Sequence, residues 1–417
     1  MLTETKIKNY FIDSELKYYF EVCSEVRWRS AHDFVVFDIA LYHEGSIYAI
    51  VEVKSNVTSN SFENAKIQIE RAIKLAHCRF GIITDGNTYH LIDTALSSGN
   101  YTKMSFDELV AKLIHPEKVP QTEDGMSNIK EAMKTIFEES EIQTICNNIV
   151  YDSNQNCYTF NSLENERNFF LRILNNPNLN HKKRIYRYTS FETLFAMLNK
   201  GTYRMNGIVG MNDKSETDYF DKKSALNTIG SSVRDLNDSY LSSCTSLKDY
   251  LTMWRLYGND GKGVCLEFKI LHERKRLNNF ILAPINYAET RKKHKVVESL
   301  KKLSDANMRF SELYKWKHFF KPYDYNVEEE IRLIFFDNSR FDNGVIKRDW
   351  IQTLTHSIIN PIIDFKLNSS GFPLQLTQII LGPKMQESKI QKSQLEDLIS
   401  EKGYSIKVSM SSIKNYR

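Results

Sequence analysis

Asp38, Glu52 and Lys54 are the residues whose types and spacing are suited to chemistry, and they lie in the stretch FDIALYHEGSIYAIVEVK, residues 37–54. Apolar runs on either side of the polar His43-Glu44-Gly45-Ser46 predict a β-hairpin. Glu52 and Lys54 are two apart on its second strand, so they project from one face. Asp38 is near the start of the first strand, where pairing brings it beside Glu52. Two carboxylates and an amine in one place can hold Mg²⁺ and direct a water onto a phosphodiester. The competing reading is a surface hairpin with a Glu–Lys ion pair, which contributes little. Against it, Glu52 and Lys54 interrupt the apolar run YAIVEV, where an unpartnered charge is costly.

The elements that must position these groups follow in order. Thr3-Glu4 opens a helix. AKIQIERAIKLA is a helix after the hairpin, and GIITDGNTYHLID reads as a strand, an Asp85-Gly86-Asn87 turn and a second strand. This segment resembles the PD-(D/E)xK nucleases, and most of all the N-terminal nuclease region of type I restriction-enzyme motor subunits. Phe37 stands where that family has Pro before its Asp. The resemblance implies a restriction-endonuclease-like αβ core with Asp38 and Glu52 as ligands of Mg²⁺ or Mn²⁺. Lys54 would stabilise charge developing on the scissile phosphate. Gln68 would orient the water or contact the nucleic-acid backbone. Glu4 would complete the metal shell or polarise Lys54. The implied partner is nucleic acid, with DNA favoured.

A chain of 417 residues is long for one ordinary core. Apolar content of 41% and charged content of 26% are those of a globular protein. The net charge of +4 permits nucleic-acid contact without demanding it. The six cysteines form no C-x-x-C pair and the ten histidines show no ligand spacing, which argues against a zinc site. No apolar run is long enough for a membrane span, and MLTETKIKNYF does not read as an export signal, so a cytoplasmic location is expected. A homo-oligomer is compatible with all of this.

Three regions are expected: a nuclease-like domain over 1–115, a helical connector over 116–180 and a C-terminal mixed α+β domain over 181–417. The fold class is therefore α/β to α+β. In the last region, Ser190 caps a helix that Gly201 closes. The segment from Tyr287 to Phe320 reads as helical and EEEIRLIFF as a strand. From about residue 184 the chain resembles an uncharacterised bacterial domain family. The motifs are Tyr186-Arg187-Tyr188, Met211-Asn212-Asp213 with Glu216, Ser242 to Ser246, Met253-Trp254, Gly261-Lys262-Gly263-Val264, Glu328 to Arg332 and Ile380 to Pro383.

The order Arg, Ser-rich strand, E-x-E is also similar to that of arginine-type ADP-ribosyltransferases, although the strict Ser-Thr-Ser triplet is absent. That likeness implies NAD, with Arg187 on its diphosphate and Ser243 or Ser246 on the nicotinamide ribose. Glu330 would stabilise the anomeric carbon, and Glu328 would orient the acceptor. The alternative is a charge ladder in which Arg332 neutralises Glu330. The basic runs 272–276 and 291–295 would suit a nucleic-acid surface, or simply solvated helix faces.

Two functions from different classes follow. One is a metal-dependent nuclease with a second catalytic domain, in bacterial defence against phage or foreign DNA. The other is a nucleic-acid or nucleotide sensor whose nuclease fold no longer cuts.

Overall fold

The structure is a computed structural model. It describes residues 3–29, 34–43, 46–56, 58–76, 78–94, 101–118, 124–153, 155–174, 184–208, 214–224, 239–271, 279–336, 348–352, 359–414 and 416. The fold is mixed α and β, as expected. The chain divides into two compact units. The first comprises Met1–Phe170, Asp218–Asp235 and His294–His318; the second comprises Leu171–Thr217, Leu236–Lys293 and Phe319–Arg417.

The first unit is built on a six-stranded sheet in the order β1-β2-β3-β4-β5-β6, with helix α1 (Glu4–Asp13) leading into it. The strands are β1 (Glu21–Arg29), β2 (Phe34–His43), β3 (Ser46–Val53), β4 (Phe80–Thr84), β5 (Tyr89–Asp93) and β6 (Thr102–Met104). All neighbours are antiparallel except β3 and β4. A parallel pair needs a crossover, and helix α2 (Ser59–Ala76) supplies it.

Strand alternation divides the apolar residues between two cores. Ile39, Leu41, Ala49 and Val51 face one side, where Ile7 and Phe11 of α1 meet Leu109, Val110 and Leu113 of α3 (Phe106–Ile114). Ala40 and Ile50 face the other, under Ala65, Ile69, Ala72 and Ile73 of α2. Phe37 belongs to this second core, only 1% exposed, which accounts for an aromatic residue before Asp38. At the predicted Asp85-Gly86-Asn87 turn, Asp85 accepts the Asn87 and Thr88 N–H groups, and Gly86 takes a φ of +85° that favours glycine.

The expected helical connector is not all helix: it holds α4 (Gly125–Met133), α5 (Glu139–Cys146) and a strand, β7 (Ile149–Asp152), paired with β8 (Cys157–Phe160). A capping box between Glu138 and Glu141 starts the new helix at α5. Helix α6 (Leu163–Ile173) follows. The segment from Tyr287 to Phe320 is not one helix. Helical structure there is confined to Lys295–Asp305, Leu313–Trp316 and the short turn Lys317–Phe319. These apolar pieces bury themselves in the first unit: Ser299 donates to the Ala132 carbonyl of α4, and Trp316 stacks on Phe170 of α6 at 5.1 Å.

The second unit carries a ten-stranded sheet. Its main path runs β17 (Asp349–Gln352), β18 (Ile359–Lys366), β10, β11, β9, β12, β19 (Leu374–Leu381) and β20 (Lys407–Met410), and β16 pairs with both β11 and β13. The strands that matter below are β9 (Arg184–Thr189), β10 (Thr202–Gly207), β11 (Ser239–Thr245), β12 (Val264–Ile270), β13 (Phe280–Pro284), β15 (Phe320–Lys321) and β16 (Glu330–Phe336). The Ser190 cap and the left-handed Gly201 bound the helix Phe191–Lys200 as expected. The Met211-Asn212-Asp213 loop and the basic run 272–276 lie outside the described residues. So does the side chain of Glu216.

Candidate functional site

In the first unit, the β2–β3 pairing matches Ile39 with Val51 and Ala40 with Ile50. Carried one residue on, this register places Asp38 across from Glu52. The Val53 N–H donates to Asp38 Oδ2 at 2.8 Å, which fixes that carboxylate at the end of the hairpin. Past β3, the Lys54 N–H donates to the Thr84 carbonyl at 2.9 Å and continues the parallel ladder, so Lys54 has a defined backbone position. Its ammonium pairs with Glu52 Oε1 at 2.6 Å and donates to Gln68 Oε1, on α2, at 3.4 Å. From α1, Glu4 Oε1 accepts the Ser55 N–H at 3.2 Å. Glu4, Asp38, Glu52, Lys54 and Gln68 are thus brought together by α1, the hairpin and α2.

Sequence reasoning missed one residue here. Lys8, one helical turn after Glu4, places its ammonium 2.7 Å from Asp38 Oδ1 and 3.9 Å from Glu25. The i, i+4 spacing from Glu4 was the available signal, because it puts both side chains on one face of α1. The environment shifts both kinds of charge. Burial raises the Glu52 pKa; Lys54 opposes this, while repulsion from Asp38 and Glu4 adds to it. Burial works to lower the Lys8 pKa, but the Asp38 carboxylate outweighs it and the ammonium is stabilised.

A cleft of about 480 Å³ opens beside Lys54, lined by Ser61, Asn64, Ile67 and Gln68 of α2. Its volume is of the size that accommodates a small-molecule or nucleotide-sized group. No cluster of three or more acidic, histidine or cysteine side chains able to cage a cation occurs among the described residues. The donors at the site are all hard oxygens, which suits Mg²⁺ or Mn²⁺ retaining several waters on two carboxylates.

The residues expected to receive NAD in the second unit are arranged differently. Glu330 is 4% exposed. Arg332 Nε donates to its Oε1 at 2.6 Å, and Lys321 of β15 lies 2.7 Å from its Oε2. These two cations overcome the burial that would raise its pKa and hold it well below the usual carboxylate range. Glu328 is not on the strand as predicted. It ends a 3-10 turn, Tyr323–Glu328, and Glu329 is left-handed, so β16 begins only at Glu330. Glu328 pairs with Lys321 at 3.0 Å and accepts the Tyr257 hydroxyl at 2.5 Å.

Arg187 meets none of them. Its guanidinium donates to Ser242 Oγ at 3.0 Å and lies over the Tyr203 ring at 5.2 Å. In the β11–β16 register, Ser243 faces Arg332 and Thr245 faces Glu330, whereas Ser242 and Cys244 point to the opposite side. Arg187, with Ser242, and Glu330 are therefore on opposite faces of one sheet, and a dinucleotide cannot touch both. Ser243 is exposed, and Ser246 bonds to Glu329. The expected NAD pocket is not formed; the competing charge ladder, closed by Arg332 and Lys321, is what the sheet holds.

All six cysteines are free thiols, five of them buried. Among the described residues, no helix is long and apolar enough to cross a membrane.

Two family models match parts of the chain. Residues 6–107 are similar to the type I restriction enzyme R protein N terminus, a span that takes in Lys8, Asp38, Glu52, Lys54 and Gln68. Residues 253–333 are similar to a protein family of unknown function, DUF2971. That span includes Glu328, Glu330 and Arg332 and leaves out Arg187, Ser243 and Ser246. No curated protein and no solved structure matches the chain.

Proposed function

We propose that the first unit is a metal-dependent nuclease that hydrolyses phosphodiesters in nucleic acid, DNA in preference, at the Asp38–Glu52–Lys54 site. One observation carries this reading: Lys54 links Glu52 to Gln68 at the edge of the α2 cleft, beside an Asp38 anchored by the Val53 N–H. Bound through Asp38 and Glu52, Mg²⁺ or Mn²⁺ would supply an activated water and neutralise phosphate charge.

The chain's own groups then divide the work. The Val53 N–H holds the Asp38 carboxylate in one orientation. Lys54, whose side chain is 24% exposed, lines the cleft, so its ammonium would stabilise negative charge on a scissile phosphate bound there. Gln68 steadies Lys54 and has an amide to offer a water or a phosphate oxygen. Glu4, held by Ser55, adds a third carboxylate that strengthens cation attraction. The likeness to a restriction-enzyme N terminus makes defence against foreign DNA the proposed setting, which is an argument from analogy.

The test is cleavage of labelled DNA and RNA with Mg²⁺ or Mn²⁺ by the full chain and its Lys54→Ala variant. Losing one transition-state charge contact should slow cleavage by about a hundredfold, on the order of 3 kcal/mol of barrier, with circular dichroism unchanged. Equal cleavage by the variant puts the chemistry elsewhere. Metal-independent binding without any cleavage by wild type favours the sensor.

A further inference from the structure

We infer that Lys8 is an internal counter-cation that occupies the Asp38 edge of the site and must withdraw before a divalent cation binds there. This rests on the nuclease reading of the same site. The E-x-K pair accounts for Lys54, which neutralises Glu52 at 2.6 Å. It does not account for Lys8. Of the two Asp38 carboxylate oxygens, Oδ2 accepts the Val53 N–H, and Oδ1, free of that bond, is the more open to a ligand. Lys8 Nζ is 2.7 Å from that Oδ1.

Charge balance points the same way. Asp38 and Glu4 both repel Glu52, and Lys8 and Lys54 are the ammoniums paired to the Asp38 and Glu52 carboxylates. With Lys54 in place and Lys8 withdrawn, two negative charges remain, which a dication neutralises. With Lys8 inserted only one remains, and a dication would bring net positive charge into a partly desolvated site. The Lys8 side chain is 18% exposed, so its attraction for Asp38 is screened less than at an open surface. Its four-carbon stem is flexible enough to release the carboxylate without moving α1, and Glu25, 73% exposed at 3.9 Å, offers a nearby resting partner. Once withdrawn, the ammonium is free to meet a phosphate group.

The experiment is Mn²⁺ titration of the full chain, wild type and Lys8→Met, read by electron paramagnetic resonance of free Mn²⁺, without nucleic acid or turnover. The expected result is binding at least tenfold tighter in Lys8→Met, with Lys8→Arg no tighter than wild type. Equal or weaker binding by a folded Lys8→Met overturns the inference alone. Absence of Mn²⁺ binding by every protein overturns it together with the nuclease reading. A measurement on wild type does not depend on the variant folding. Mn²⁺ should raise the rate at which a lysine-acylating reagent modifies Lys8, followed by mass spectrometry, and an unchanged rate overturns the inference.

Discussion

Glu330 keeps its charge despite nearly complete burial because Arg332 and Lys321 both reach it. An acid paired in this way should contribute to stability, and this can be measured. Its folded pKa lies below the ordinary carboxylate value, so its stabilisation is fully present above the unfolded pKa of 4.5 and is lost as pH falls toward about 2. Glu330→Gln removes the carboxylate that Arg332 and Lys321 share, while Lys321 keeps Glu328, and should cost on the order of 3 kcal/mol near neutral pH. Urea denaturation should show the gap between wild type and variant narrowing as pH drops below 4.5; a gap independent of pH would contradict the pairing. At this scale the sequence was informative about residue types and not about partners. Two glutamates and an arginine at alternate positions read equally well as a pocket wall and as a charge ladder. Lys321, which closes the ladder, is nine residues from Glu330 and gave no local signal. Lys8 differs: its i, i+4 spacing from Glu4 put it on the site-facing side of α1, but only the tertiary structure showed Asp38 as its partner.

The elements around the nuclease-like site depend on close approach between α2 and the sheet. Gly81, on β4, is one point of that approach: a Cβ there would collide with the Ile69 and Ile73 side chains of α2. Gly81→Ala should therefore lift α2, cost about 1–3 kcal/mol, and draw Gln68 away from Lys54. Denaturation together with cleavage rate would check this, and wild-type values for both would show that α2 repacks without moving the site. The hairpin, the crossover helix and the Asp85-Gly86-Asn87 turn were legible because period-2 alternation, 3.6-residue periodicity and turn chemistry act over a few residues. The region from Tyr287 to Phe320 was not. Its apolar residues are spaced to meet α4 and α6, more than a hundred residues back in the chain, so their pattern followed the tertiary surface rather than one helix.

Over the whole molecule, 56 basic and 52 acidic residues nearly cancel. Nucleic-acid affinity should consequently come from a few local cations, and log K against log salt should have a shallow slope, on the order of −2 to −4. Fluorescence anisotropy with labelled DNA from low to moderate salt would measure it; a much steeper slope would require a broad basic face. Composition and motif order determined a mixed α and β protein with a restriction-enzyme-like N-terminal region, since both depend on local pattern. Two things waited for the tertiary structure. The clustering of residues 294–318 with the N-terminal unit joins segments far apart in sequence, through apolar contacts such as Trp316 on Phe170 that carry no address in their own composition. The separation of Arg187 from Glu330 depends on strand register, where a shift of one residue reverses every side chain. Residue order could place Arg, Ser and Glu on neighbouring strands; only the sheet decided that they look out from opposite faces.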